Sequence, residues 1–160
     1  MNVHIFIANY TDSQDAGDIG SLLDMYAADP MGGGKNLPEA VRERVASELA
    51  KIPHAFTVLC RVDGHAVGLV NCFEGFSTFQ CKPLVNIHDI VVHPDFRGQG
   101  LCQKMMARVE EIARDKGCCK PTLEVLEGNS VAQASYKKFG FAGYELDPSV
   151  GKALFWEKGL

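Results

Sequence analysis

From Val91 to Cys102 the chain reads Val-Val-His-Pro-Asp-Phe-Arg-Gly-Gln-Gly-Leu-Cys. The β-branched run Ile90-Val91-Val92 reads as a strand, His93-Pro94 as a turn, and a helical apolar spacing begins directly after two glycines. A strand that passes through Arg97-Gly98-Gln99-Gly100 into a helix builds an anion cradle. Glycine lets backbone approach a ligand, and the first N–H groups of a helix have no intrahelical acceptor and point at negative charge. A Gly-x-Gly also fits an ordinary tight turn, so the surrounding chain decides its meaning.

Val3 to Asn9 is rich in β-branched and aromatic residues and predicts a first strand. Thr11-Asp12 can cap a helix whose Ile19, Leu22, Leu23 and Tyr26 recur at helical spacing, up to the stop at Asp29-Pro30. Met31 to Asn36 holds three consecutive glycines and is expected to lack regular structure, as a connector or as a lip over a pocket. A second helix starts at Leu37-Pro38-Glu39, with Val41, Val45 and Leu49 inward. Phe56–Val62 and Ala66–Phe73 flank Asp63-Gly64, a hairpin signal, and Leu84–Val92 is a further strand. The helix after the glycines carries Leu101, Met105, Val109 and Ile112 on one face and ends at Gly117. Pro121–Leu126 is the next strand. Asn129 or Ser130 caps a helix closed by Gly140, and Phe141–Leu146 and Ala153–Trp156 read as two last strands. The order β-α-α-β-β-β-α-β-α-β-β predicts a single domain over residues 1–160, antiparallel hairpins around a βαβ centre.

The 160 residues carry a formal charge of −4, which argues against a nucleic-acid partner and is compatible with a cationic one. No apolar run approaches the ~20 residues of a membrane span. The cysteines are Cys60, Cys72, Cys81, Cys102, Cys118 and Cys119, without Cys-x-x-Cys or Cys/His zinc spacing, so no metal is expected. Met1 to Ile5 runs straight into the first strand and no secretory signal is read there. Reduced, mostly buried thiols in a cytoplasmic protein are therefore expected.

The element order and two motifs resemble the Gcn5-related N-acetyltransferase (GNAT) family across essentially the whole chain. Arg97-Gly98-Gln99-Gly100-Leu101-Cys102 is similar to its Arg/Gln-x-x-Gly-x-Gly/Ala signature, with Cys102 where Gly or Ala is usual. Asn129-Ser130 followed by Tyr136-Lys137-Lys138-Phe139-Gly140-Phe141 is similar to the family's asparagine and Tyr-x-x-x-Gly-Phe. The resemblance implies an α/β (α+β) fold with a mixed, mostly antiparallel sheet of six to seven strands, a central βαβ acetyl-CoA unit and helices on both faces. It places the CoA pyrophosphate on the N–H groups of Gly98 to Gln103, counting Gln99, Gly100, Leu101 and Cys102. Pantetheine would lie along Ile90, Val91 and Val92, with a contact from Asn129, which is also a candidate helix cap. Tyr136 would be the acid that protonates the departing thiolate; by itself the residue reads equally as core with its hydroxyl at the edge.

A narrower likeness lies in Phe73-Glu74-Gly75-Phe76-Ser77-Thr78-Phe79 and Lys82 to Asp89, similar to the pattern of diamine and thialysine acetyltransferases. There a Glu-Asp pair contributes to amine recognition; here His88 stands for the glutamate and Asp89 matches the aspartate. An alternating strand sends these two side chains to opposite faces unless a bulge intervenes. His88 has the chemistry to accept a proton from an ammonium, and Asp89 to bind one. The expectation is acetyl transfer to a primary amine of a small molecule, a diamine, polyamine or amino acid, by direct attack in a ternary complex. The alternatives are a non-catalytic acyl-CoA-binding module and a protein lysine or N-terminal acetyltransferase. At the N-terminus of its helix, Cys102 could have a lowered pKa. Open strand edges and Leu154-Phe155-Trp156 suggest a homodimer.

Overall fold

The computed structural model describes residues 1–144 and 146–160. Five strands form one sheet in the order β1-β2-β3-β4-β5: β1 (Val3–Ile7), β2 (Ala55–Val62), β3 (His65–Ser77), β4 (Lys82–Val92) and β5 (Pro121–Leu123). The first four pair antiparallel, and β5 runs parallel to β4. Helices α1 (Ser13–Ala28) and α2 (Glu39–Leu49) cover one face, while α3 (Leu101–Asp115) covers the other. The crossover β4-α3-β5 is the expected βαβ unit. Helix α4 (Ser130–Phe139) follows β5.

Local signals set the helix ends. The Asp12 carboxylate accepts from the N–H groups of Gln14 and Asp15 and caps α1. Pro38 precedes α2, and Gly140 ends α4 in the left-handed conformation. In α2 the expected inward residue Val41 is exposed and Ala46 is buried instead. The close crossing of α1 and α2 explains part of this: a Cβ on Gly20 would clash with the Arg42 carbonyl oxygen. Helix α3 buries Leu101, Met105, Met106, Val109, Ile112 and Ala113. At roughly 1.5–3 kcal/mol for each large apolar side chain, that packing outweighs the marginal stability of an isolated helix of this length. The helix start that forms the cradle is thus held by the core.

Three expectations are corrected. The sheet has five strands rather than six to seven, because residues 141–144 and 146–160 form no strand beyond an isolated bridge at Lys152. Glu145, inside the expected strand Phe141–Leu146, lies outside the described residues. Phe141 packs against the core, but Leu146, Leu154, Phe155 and Trp156 are exposed: a strand-like pattern makes no strand without a neighbour to pair with. β5 stops at Leu123 rather than Leu126. The glycine-rich connector after α1 is ordered, with a single 3-10 turn at Pro30–Gly32. The Asp29 carbonyl accepts from Gly32 and Gly34, and the Asp24 carboxylate takes the Leu37 N–H and the Asn36 side chain.

Candidate active site

β4 is longer than its partner β5. The rungs Val85↔Pro121, Asn86↔Thr122 and Ile87↔Leu123 join them, and β4 then runs on to Val92 alone on that edge. On its other edge, His93 N–H bonds the Val67 carbonyl. Antiparallel alternation therefore turns the N–H and C=O of Ile90 and Val92 outward, and those of Val91 toward Leu69 of β3. The Val92 carbonyl is already taken, by Arg97 Nε at 3.0 Å. Ile90 and the Val92 N–H remain presented along the parting.

At the end of β4 lies the cradle. Gly98 and Gly100 have φ of 74° and 76°, the left-handed region that glycine enters without strain. A Cβ at either would meet nothing within 4 Å, so these are glycines for their backbone angles and not for lack of room. Gly100 caps α3 and provides no side-chain acceptor, which leaves the first-turn N–H groups at Leu101, Cys102 and Gln103 aimed outward. The side chains of these residues go elsewhere. Leu101 is core, and Gln103 Nε2 donates to the Ser135 carbonyl and hydroxyl of α4 at 2.9 and 3.0 Å. Cys102 Sγ accepts from the Ser135 hydroxyl at 3.6 Å. Its thiol packs between α3 and α4, which accommodates a cysteine where a smaller residue is usual. Burial pushes this thiol up, against the expectation of a lowered pKa at the helix start. Arg97 also reaches Asp29 Oδ2 at 3.5 Å and ties the cradle to the connector after α1. Gln99 is exposed.

Tyr136 of α4 is 8% exposed, with its ring edge against Phe141. Burial holds its phenol well above the ordinary tyrosine range, with Cys102 and Tyr26 adding to the effect. The hydroxyl therefore keeps its proton at any neutral pH. Asn129 Oδ1 caps α4 through the Ala132 N–H at 3.2 Å.

The pair His88-Asp89 sits on a bulge. Asn71 pairs with Asp89 while Cys72 pairs with Ile87, so His88 is an extra residue in β4. Ile87 and Ile90 pack on the α3 side and Val91 on the α1 side. The extra residue switches the alternation, and His88 and Asp89 come to the α1 face together. His88 is exposed, its ring edge-on to Phe73 at 5.4 Å. Asp89 Oδ2 accepts from Asn71 Nδ2 at 3.0 Å. Sequence reasoning missed Tyr26: burial raises its phenol, as do Asp89 and Asp29, and Tyr26 in turn acts on Tyr136. Tyr26 thus lies within electrostatic reach of both the carboxylate on the bulge and the buried phenol of α4. Its helical spacing marked it only as an inward-facing residue.

The sheet parts after its fourth strand, with an uncapped helix start, a donor group for anions, at one end and a carboxylate, an acceptor for cations, on a bulge within it. The profile of the acetyltransferase (GNAT) family matches residues 21–141, and the chain belongs to that family. The thialysine N-epsilon-acetyltransferase of Bos taurus is 38% identical over 74 residues, 46% of this chain and 43% of the relative. The chain thus spans less than half the length of that protein. The aminoglycoside N(6')-acetyltransferase type 1 of Salmonella typhimurium is 24% identical over 114 residues, 69% of this chain and 74% of the relative. Among solved structures, an aminoglycoside N-acetyltransferase in complex with CoA superposes with a TM-score of 0.78 at 19% identity, covering 98% of this chain and 95% of the other.

Proposed function

We propose that the protein is an acetyl-CoA-dependent N-acetyltransferase acting on a primary amine of a small molecule, a diamine, polyamine or amino acid. The observation that carries this reading is the parting of β4 from β5 after Ile87, with the cradle at its end and Asp89 on the bulge. The N–H groups from Gly98 to Gln103 hold the CoA pyrophosphate, and the outward backbone of Ile90 and Val92 lines the pantetheine. Acetyl-CoA supplies the acetyl group as a thioester. Asp89 binds the acceptor ammonium and His88 takes a proton from it, so that the neutral amine attacks the thioester carbonyl. The second proton is lost from the nitrogen to solvent as the tetrahedral intermediate collapses, and solvent restores the one that Tyr136 gives up. Backbone N–H groups along the free edge of β4 stabilise the oxyanion. Tyr136 gives its proton to the departing thiolate. The burial that raises its phenol also raises the basicity of a thiolate formed beside it, so the two stay matched.

Acetyl-CoA with a panel of diamines, amino acids and aminoglycosides, followed by release of free thiol, tests the assignment. Saturable release with an amine is the expected result. CoA binding by calorimetry with no release from any amine, or from peptides with a free N-terminus or lysine, overturns it in favour of a binding module. Release with peptides alone moves the acceptor class to proteins. We further propose a homodimer. Leu154, Phe155 and Trp156, at 77%, 71% and 84% exposed, are an apolar segment left open among the described residues. Light scattering of the full chain and of a Trp156→Ser variant reads this out.

A further inference from the structure

Three hydrogen bonds join four side chains across three strands and the loop after β1. The Tyr10 hydroxyl meets Thr57 Oγ1 at 2.9 Å, Thr57 Oγ1 donates to Asn71 Oδ1 at 2.6 Å, and Asn71 Nδ2 donates to Asp89 Oδ2 at 3.0 Å. Thr57 and Asn71 are 0% and 3% exposed. The direction of the chain follows from the groups. A carboxylate only accepts, so Asn71 turns its NH2 to Asp89 and its carbonyl to Thr57. The Thr57 proton is then committed to Asn71, and the Tyr10 hydroxyl must be the donor at the far end. Burial raises the Tyr10 phenol, which keeps that donor protonated.

The bulge brings the chain to the site. Continued without a bulge from the rung Cys72↔Ile87, the register would set Asn71 opposite His88; because His88 is an extra residue, Asn71 stands opposite Asp89. A network serving only to satisfy buried polar groups could end on any nearby backbone group. This one ends on one oxygen of a partly exposed carboxylate and leaves the other open.

We infer that Tyr10, Thr57 and Asn71 are positioning residues that fix the Asp89 carboxyl group with Oδ1 turned to the acceptor, and so make the site selective for a cationic ammonium. This inference rests on the acceptor site proposed above. It assigns acceptor specificity to side chains buried under the sheet, away from the reacting atoms.

The test uses the full chain and 1,4-diaminobutane as probe, with binding followed at the Asp89 side-chain carbon by NMR and acetyl-CoA affinity by calorimetry. Wild type shows a saturable Asp89 response. Thr57→Val, which keeps the shape and removes the donor, weakens diamine binding at least ten-fold and leaves acetyl-CoA affinity within two-fold. Thr57→Ser restores it, and Tyr10→Phe, the mildest change, weakens it about three-fold. Where the diamine is acetylated, the loss falls on the amine KM and not on the acetyl-CoA KM. Diamine affinity within two-fold of wild type in both Thr57→Val and Tyr10→Phe overturns the inference, as does a parallel loss of acetyl-CoA affinity, the mark of a merely structural role. No Asp89 response in wild type also overturns it, while acetyl transfer to another acceptor could still be observed. Conversely, saturable binding without thiol release from any amine removes the proposed activity and leaves the positioning chain standing.

Discussion

Ile87 and Leu123 form the last rung between β4 and β5. One residue beyond Ile87 the bulge begins, and five residues beyond it β4 ends at Val92, one residue before the turn into the cradle. The proposed cofactor cradle, the free strand edge and the proposed acceptor carboxylate are therefore arranged along β4 and its end, and each can be disturbed separately.

The cradle depends on two backbone angles. Gly100→Ala places a side chain at φ 76° with open space around it, so the cost is the left-handed backbone alone, roughly 1–2 kcal/mol of stability. The variant is expected to weaken acetyl-CoA binding several-fold with little effect on the amine KM. Gly100→Asn, which tolerates that region better, falls between. Calorimetric titration with acetyl-CoA beside denaturant melts separates the two effects.

Loss of the Tyr136 hydroxyl is expected to reduce turnover by a factor within the ~10²–10⁴ range of a general acid, with acetyl-CoA affinity nearly unchanged. A Tyr136→Phe enzyme with wild-type kcat across the pH range removes the acid assignment.

The raised phenol also has a stability consequence. Because the folded state holds this proton more tightly than the unfolded one, there is no penalty below the ordinary tyrosine value near 10. Above it the unfolded chain ionises first, and stability falls as pH rises toward the higher folded value. Tyr136→Phe should flatten that alkaline decline in urea melts recorded between pH 9 and 11.

Under the sheet, Arg61 reaches Asp15 at 2.7 Å and Asp18 at 2.6 Å and lies over the Phe6 ring. Asp15 is 6% exposed and, among the described residues, takes just the Asn9 N–H besides. Arg61→Met strands that carboxylate and should cost about 3–5 kcal/mol by urea denaturation. A double variant Arg61→Met, Asp15→Leu should recover much of it; a cost below 1 kcal/mol for the single change contradicts the burial argument.

The six thiols are free but unequal. Cys81 is exposed at the β3–β4 turn, while burial raises the thiols of Cys60, Cys72 and Cys102. Alkylation at pH 8 should modify Cys81 first and leave Cys60 and Cys72 untouched until the chain unfolds, as read by peptide mass mapping. A Cys81→Ser variant should lose the fast phase.

Much of this architecture was readable because it is local. Asp12, Pro38, Asn129 and Gly140 each act on backbone within a turn of themselves, and the α3 stripe is a matter of spacing along one helix. The cradle belongs to the same class, since Gly98 and Gly100 set their own angles. Two last strands were legible as pattern and are not formed among the described residues, because pattern supplies an apolar face but no pairing partner. Asn71, Thr57 and Tyr10 had no local mark, and Tyr26 only that of an inward-facing helix position. Their roles come from contacts such as Thr57 to Asn71, 14 residues apart, and Tyr10 to Thr57, 47 apart.

The amino-acid sequence by itself determined the family, the cradle and the candidate residues His88, Asp89 and Tyr136. Only the tertiary structure decided that His88 and Asp89 share a face. Side-chain alternation is a property of one strand until its partner is one residue shorter across the same rungs, and that mismatch exists only once β3 and β4 are paired.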